Sequence, residues 1–171
     1  MSERSGAITF QGNPLTLIGP ELKVGDKAPD FDVIDQGLEA NNLSSSGGKA
    51  RLFSAVPSLD TPVCSTQTKR FAQELSNLPD NAEVITVSAD LPFAQKRWCG
   101  DENVETTTLS DHRDLSFANS YGVLIKELKL LARAIFVVDA SDTITHVEIV
   151  SEVTQEPDYD KALAALKAAV G

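Results

Sequence analysis

Apolar residues along the chain fall into short continuous runs broken by turn-forming clusters, and two longer stretches repeat at helical spacing. Ala7-Ile8-Thr9-Phe10 and Leu15-Thr16-Leu17-Ile18 flank Gln11-Gly12-Asn13-Pro14, which predicts an N-terminal β-hairpin over about residues 7–18. Gly25 to Phe31 reads as a turn leading into a short extended piece, Asp32-Val33-Ile34, and the Asn-, Ser- and Gly-rich span from Gln36 to Lys49 reads as loop. Arg51 to Val56 is a buried strand ended by Pro57, and Glu83 to Ala89 is a continuous apolar strand of the parallel, two-sided kind. Between them Val63, Gln67, Phe71 and Leu75 recur every four residues, a helical face for a sheet, with Lys69, Arg70 and Glu74 left for solvent. Strand, helix and strand in this order predict a right-handed crossover.

Beyond it the pattern predicts a short helix from Pro92 to Gly100, an extended Thr106 to Ser110, and a helix from Leu115 ended by Gly122. Two strands follow, Ala134–Val138 and Ile144–Val150, joined by the turn Asp139 to Asp142. Tyr159, Leu163, Leu166 and Val170 mark an amphipathic closing helix. The alternation specifies an α/β fold: a central mixed sheet flanked by helices.

Length and charge narrow the picture. One hundred and seventy-one residues with 42% hydrophobic content suit one domain spanning 1–171, with a sizeable core and no internal boundary. A net charge of −10 argues against nucleic acid or an anionic membrane as a partner, because either demands a basic patch. The few apolar residues after Met1 to Gly6 are broken by Gln11, Gly12, Asn13 and Pro14, so neither a signal peptide nor a membrane span is expected, and the expected compartment is the cytoplasm. In that reducing setting the two cysteines, Cys64 and Cys99, read as catalytic or redox-sensing rather than as a permanent staple. They form no Cys-x-x-Cys pair, and His112 and His146 have no zinc-ligand spacing, so no metal and no cofactor are expected.

Cys64 has the more telling surroundings. Thr61 followed by Pro62 is a helix-start signal, a hydroxyl able to cap and then a proline whose missing N–H costs nothing at the first helical position. Cys64 then lies in the first turn, where unpaired backbone N–H groups and the helix dipole favour an anion, so the nucleophilic thiolate is the favoured form. The plainer readings are a buried structural thiol at Cys64, a cap alone at Thr61 and a strand end alone at Pro57. Arg133, just before the apolar run Ala134 to Val138, either reaches solvent at a strand edge or meets an anion, since an unpaired buried charge is costly.

Pro57-x-x-x-Thr61-x-x-Cys64 resembles the active-site pattern of peroxiredoxins. Nearly the whole chain resembles the bacterial thiol peroxidase subfamily, the atypical two-cysteine type, from Phe10-Gln11-Gly12-Asn13-Pro14 through Ser88-Ala89-Asp90-Leu91-Pro92-Phe93-Ala94-Gln95 to Glu156-Pro157-Asp158-Tyr159. The resemblance implies a thioredoxin-like fold with the hairpin added. It also implies reduction of hydrogen peroxide and organic hydroperoxides without metal, haem or flavin. Cys64 is then the peroxidatic cysteine and Thr61 the hydroxyl that bonds the thiolate and the peroxide. Pro57 shields the site, Arg133 completes the pocket, and Cys99 resolves the sulfenic acid as an intramolecular disulfide that thioredoxin reduces. A homodimer is implied as well. One departure is the glycine-free Lys126 to Leu131, shorter than the corresponding loop of related sequences. A non-catalytic redox sensor or binding module on the same fold is the second reading, separated from the first by turnover.

Overall fold

In the computed structural model, which describes residues 2–170, an N-terminal hairpin pairs β1 (Glu3–Phe10) with β2 (Asn13–Ile18). The short β3 (Val33–Ile34) and β4 (Ala40–Asn41) precede β5 (Ala50–Ala55), α1 (Pro62–Gln73), β6 (Ala82–Ser88), α2 (Pro92–Asp101) and β7 (Thr107–Ser110). The chain continues through α3 (Ser116–Ser120), β8 (Leu124–Ile125), β9 (Leu130–Leu131), β10 (Ala134–Val138), β11 (Ile144–Ile149) and α4 (Tyr159–Val170). Seven strands form the central sheet in the order β11-β10-β5-β6-β7-β3-β4, and four form a second sheet in the order β1-β2-β8-β9. β5, β6 and β7 run parallel, while β10, β11, β3 and β4 join antiparallel, giving the mixed sheet of a thioredoxin-like fold. Among the described residues no helix is long and apolar enough to cross a membrane.

The alternation of side chains across the central strands decides what lies on each face. Leu52, Val84, Ile135 and Val137 point to one side, where Phe71 of α1 and Ala162, Leu163 and Leu166 of α4 cover them. Phe53, Ile85, Phe136 and Val138 point to the other, into a core shared with Phe31, Phe117, Tyr121 and the hairpin residues Ile8, Leu15 and Leu17. The Phe117 and Tyr121 rings stack at 4.2 Å within it. The second sheet therefore covers this face together with α3. It meets α3 at a backbone seam, where Gly19 and Gly122 both adopt positive φ and a Cβ at either would collide with backbone of the other side.

Four local differences from the sequence reading have clear causes. The hairpin begins at Glu3 rather than about residue 7, because pairing of Glu3 and Arg4 with Ile18 and Leu17 uses backbone groups that hydropathy does not report. The span from Gln36 to Lys49 contains β4 and a 3-10 turn at Leu43–Ser46. α1 buries Cys64, Gln67, Thr68 and Phe71 and leaves Val63 half-exposed, so its inner face is rotated from the Val63-to-Leu75 stripe; Leu75 lies in a separate 3-10 turn. Finally, β8 and β9 form a hairpin whose turn closes with Lys129 at φ 57°, the conformation a glycine would adopt easily.

Candidate active site

The parallel β5 runs into Val56 and Pro57, both buried, and the chain turns through Ser58 to Thr61 before α1 starts at Pro62. Proline at the first helical position fixes φ without leaving a donor unpaired, and it makes Cys64 the third residue of the helix. Cys64 has no exposed surface and packs with Val56, Leu59 and Trp98. Its sulfur accepts no hydrogen bond among the described residues, and both cysteines are free thiols.

Asp90, two residues past the end of β6, holds the turn in front of the cysteine. Its carboxylate accepts from Ser58 Oγ at 2.6 Å, from the Leu59 N–H at 2.8 Å and from Ser88 Oγ at 2.7 Å. Ser58 in turn fixes Thr61, whose hydroxyl donates to the Ser58 carbonyl at 2.9 Å. Thr61 stands in the extended conformation of an N-cap residue, yet its side chain bonds this carbonyl and not a helix N–H. A hydroxyl has one proton, so this oxygen meets further partners as an acceptor.

Arg133 does not reach solvent at a strand edge: it is 2% exposed, and two of its donors are held by protein groups. Nε donates to the Val153 carbonyl at 3.0 Å and Nη1 to Gln67 Oε1 at 2.9 Å, while Gln67 Nε2 donates to Ser54 Oγ at 2.7 Å. Gln67 is one turn beyond Cys64 on the same buried face, so the helix that carries the thiol also holds the guanidinium. Sequence reading treated Gln67 as part of an apolar stripe and gave it no role; an amide on an inward helix face was the available signal.

The added hairpin reaches this arrangement through the segment after β11. The Thr9 N–H donates to Ser151 O at 2.8 Å, and Thr9 O accepts from the Val153 N–H at 2.9 Å, so β1 fixes the residue whose carbonyl takes Arg133. Glu152 fastens the junction by accepting from the N–H and hydroxyl of Thr154, the Gly12 N–H and the Thr9 hydroxyl. These donors, the Thr154 N–H foremost, lower the Glu152 carboxyl to about 2. Because the folded value lies below the ordinary 4.5, the contribution of Glu152 to stability is present above pH 4.5 and lost as pH falls through about 2. An NMR titration should find the midpoint near 2, with amide protection at Gly12 and Thr154 lost over the same range; a midpoint near 4.5 would mean the junction is not held by this carboxylate.

Cys99 lies near the end of α2, half-buried, and packs against the cluster that contains Cys64. Gln36 Nε2 donates to its sulfur at 3.5 Å and to Thr108 Oγ1 at 2.7 Å. Burial pushes the Cys99 thiol up, and the Gln36 bond offsets part of that. A cavity of about 510 Å³ opens beside Cys99, Gln36 and Lys96. A smaller one of about 270 Å³ lies between Thr61, Pro62 and Ser65 on one side and Arg97 and Trp98 on the other.

The redoxin family matches residues 23–163. The thiol peroxidase of Halalkalibacterium halodurans is 59% identical over 165 residues, covering 96% of this chain and 99% of its own. The chain belongs to the thiol peroxidase family. The Bacillus subtilis thiol peroxidase is 52% identical over 164 residues, covering 95% of this chain and 98% of its own. A crystal structure of a peroxiredoxin-like protein from Aquifex aeolicus superposes with a TM-score of 0.90 at 40% identity, covering 98% of each chain. As a thiol peroxidase the protein is an enzyme of the peroxiredoxin type, and its substrates are peroxides. These matches do not favour the reading as a non-catalytic sensor.

Proposed function

We propose that the enzyme reduces hydrogen peroxide and organic hydroperoxides through Cys64, with Cys99 as the resolving thiol. The observation that carries this reading is the joining of Cys64 and Arg133 through one helix face: Cys64 opens α1, and Gln67 one turn later grips Arg133. The Cys64 thiolate attacks the terminal peroxide oxygen, the O–O bond breaks, and Cys64 becomes a sulfenic acid as the other oxygen leaves as alkoxide or hydroxide and takes up a proton. Thr61, its own proton given to Ser58 O, accepts the hydrogen bond of the incoming hydroperoxide. Arg133 brings positive charge to the oxygens as negative charge develops on them, and in a dry site such fixed electrostatics lower the barrier. Buried Pro57 keeps water from the sulfenic acid. Cys99 then attacks that acid, giving the Cys64–Cys99 disulfide and water, and a thioredoxin dithiol reduces the disulfide.

The sulfur supplies both electrons, so the step needs no metal, haem or flavin. The same reading has residues 1–171 acting as one domain, since the hairpin residues Ile8, Leu15 and Leu17 share a core with Phe53 and Phe136. It sets the enzyme in the reducing cytoplasm, as a homodimer on the strength of the family resemblance.

The test mixes reduced protein with one equivalent of hydrogen peroxide and follows Trp98, the single tryptophan, whose indole Nε1 donates to Ser65 Oγ of α1. Wild type is expected to end as an intramolecular disulfide by mass, and Cys99→Ser to stop at the sulfenic acid after an unchanged first phase. A disulfide between two chains, or full recycling by thioredoxin without Cys99, would remove Cys99 from its assigned role.

A further inference from the structure

One carboxylate fastens the turn that walls in Cys64. The turn from Ser58 to Thr61 closes on itself: the Ser58 carbonyl accepts from the Thr61 N–H at 3.1 Å as well as from the Thr61 hydroxyl, and Ser58 Oγ accepts from the Asp60 N–H at 3.2 Å. Asp90 ties this turn to the sheet through both oxygens, Oδ1 to the Ser58 hydroxyl and Oδ2 to the Leu59 N–H. The ion pair of Asp60 with Arg97 also reaches the turn, but its side chains are 55% and 54% exposed, and a pair so open to water holds weakly. Asp90 is fixed from behind, since fully buried Ser88 donates to Oδ2 and Ser110 Oγ donates to the Asp90 carbonyl at 2.5 Å.

The two oxygens serve different parts of the site. Leu59 is 2% exposed and packs in one cluster with Cys64, so the bond at its N–H holds part of the wall around the thiol. Ser58 takes the Thr61 proton on its carbonyl, so the bond at its own hydroxyl fixes where the remaining lone pair of Thr61 points. All three groups that face the carboxylate donate to it, and the Leu59 N–H has no way to reverse, so the position suits a group with acceptor oxygens alone. We propose that Asp90 is a positioning residue that sets the selectivity of the site for hydroperoxides: it keeps Leu59 closed beside Cys64 against other electrophiles and keeps Thr61 aimed at the incoming peroxide. The inference rests on the roles proposed above for Cys64 and Thr61.

Releasing the turn therefore moves two reactions in opposite directions. Oxidation by peroxide slows, because the hydroxyl that receives the peroxide is no longer held in place. Alkylation speeds, because it needs only an accessible thiolate. A change in thiolate fraction gives no such split, since fewer thiolates slow both reactions and more thiolates speed both. Global unfolding lowers the peroxide rate only in proportion to the folded molecules lost, which circular dichroism reads.

The test uses the Cys99→Ser background, in which Cys64 is the only thiol. Trp98 fluorescence after mixing with hydrogen peroxide gives one rate, and mass after timed exposure to iodoacetamide gives the other. Asp90→Asn, close to the original in volume, is expected to slow the peroxide phase about 5- to 20-fold and to speed alkylation about 3- to 10-fold, as suits a hydroxyl displaced by a fraction of its bond length. Ser58→Ala keeps the carboxylate and its charge, and it should move both rates in the same two directions by smaller factors; it carries the test alone if Asp90→Asn does not fold. With Thr61→Val added, Asp90→Asn should slow the peroxide phase by less than about twofold while alkylation still rises, because residues acting through one another are not additive. Two rates that move together, rates unchanged in both variants, or a peroxide effect of Asp90→Asn that Thr61→Val leaves undiminished overturns the assignment of Asp90 and leaves the role of Cys64 intact. A peroxide-dependent phase that survives Cys64→Ser in this background overturns the role of Cys64 itself and the assignment of Asp90 with it.

Discussion

Cys64→Ser is expected to lower peroxide turnover at least about a thousandfold, to the level of the uncatalysed reaction, because a serine hydroxyl is not oxidised to a sulfenic-acid equivalent. The substitution is nearly isosteric. Its structural cost is a buried hydroxyl in an apolar cluster with Val56, Leu59 and Trp98, about 1–3 kcal/mol if the hydroxyl finds no partner. Folding should therefore survive, and circular dichroism together with Trp98 fluorescence of the unoxidised protein checks that it does. Activity is measured by coupling to thioredoxin and its reductase with hydrogen peroxide as substrate. Residual turnover near the wild-type value in folded Cys64→Ser would mean that the reacting sulfur is elsewhere, with Cys99 the remaining thiol to examine.

Arg133→Met is expected to reduce kcat/KM for hydrogen peroxide by about 10²–10³, the range found when a fixed donor to a developing oxyanion is removed. Methionine keeps much of the side-chain volume but none of the charge. In the folded protein the change leaves Gln67 Oε1 and Val153 O without their donor, yet it also removes a charge that is costly to desolvate. Those two effects oppose each other, so stability should move by no more than about 2 kcal/mol. Activity should fall far more than stability, which is the signature that separates a role in the reaction from one in the core. Arg133→Lys is the informative companion: it restores the charge but lacks the planar fork that serves Val153 and Gln67 together, so only part of the rate should return. If Arg133→Met kept its rate for single-turnover oxidation of Cys64, the guanidinium would be a structural clamp alone.

What the sequence disclosed depended on how local the signal was. β5, β6 and β10 are continuous apolar runs, and such runs identify buried strands without tertiary information. The start of α1 was legible because Pro62 has a fixed backbone angle and few places to sit. The two-residue strands β8 and β9 have too few residues to display any period, and the positive φ of Lys129 is invisible in a residue that seldom adopts it. Pro57, Thr61 and Cys64 could be named as candidates from the resemblance of their pattern to that of peroxiredoxins, whereas the groups that hold them in place could not. Asp90 reads as an ordinary turn residue after a strand, and only the fold brings Ser58, Leu59 and Ser88 to it. Gln67 reads as one position of a sheet-facing helical stripe, and only β5 and Arg133 give its amide partners. The ion pairs of Arg97 with Asp60 and of Lys69 with Glu102 join residues more than 30 positions apart, beyond the reach of any periodicity.

The complete enclosure of the Cys64 side chain has a consequence for what the enzyme ignores. A sulfur with no exposed surface presents nothing to a bulky disulfide, a quinone or an alkylating metabolite, whose reactions need an in-line approach by many atoms. A hydroperoxide offers its reactive oxygen at the tip of the molecule, so on the proposed reading it needs far less room at the Ser58 to Pro62 turn than those reagents do. On the proposed reading the nucleophile is screened from bulky thiols and disulfides, and slow reaction of reduced Cys64 with large electrophiles is expected, set by the wall rather than by the sulfur.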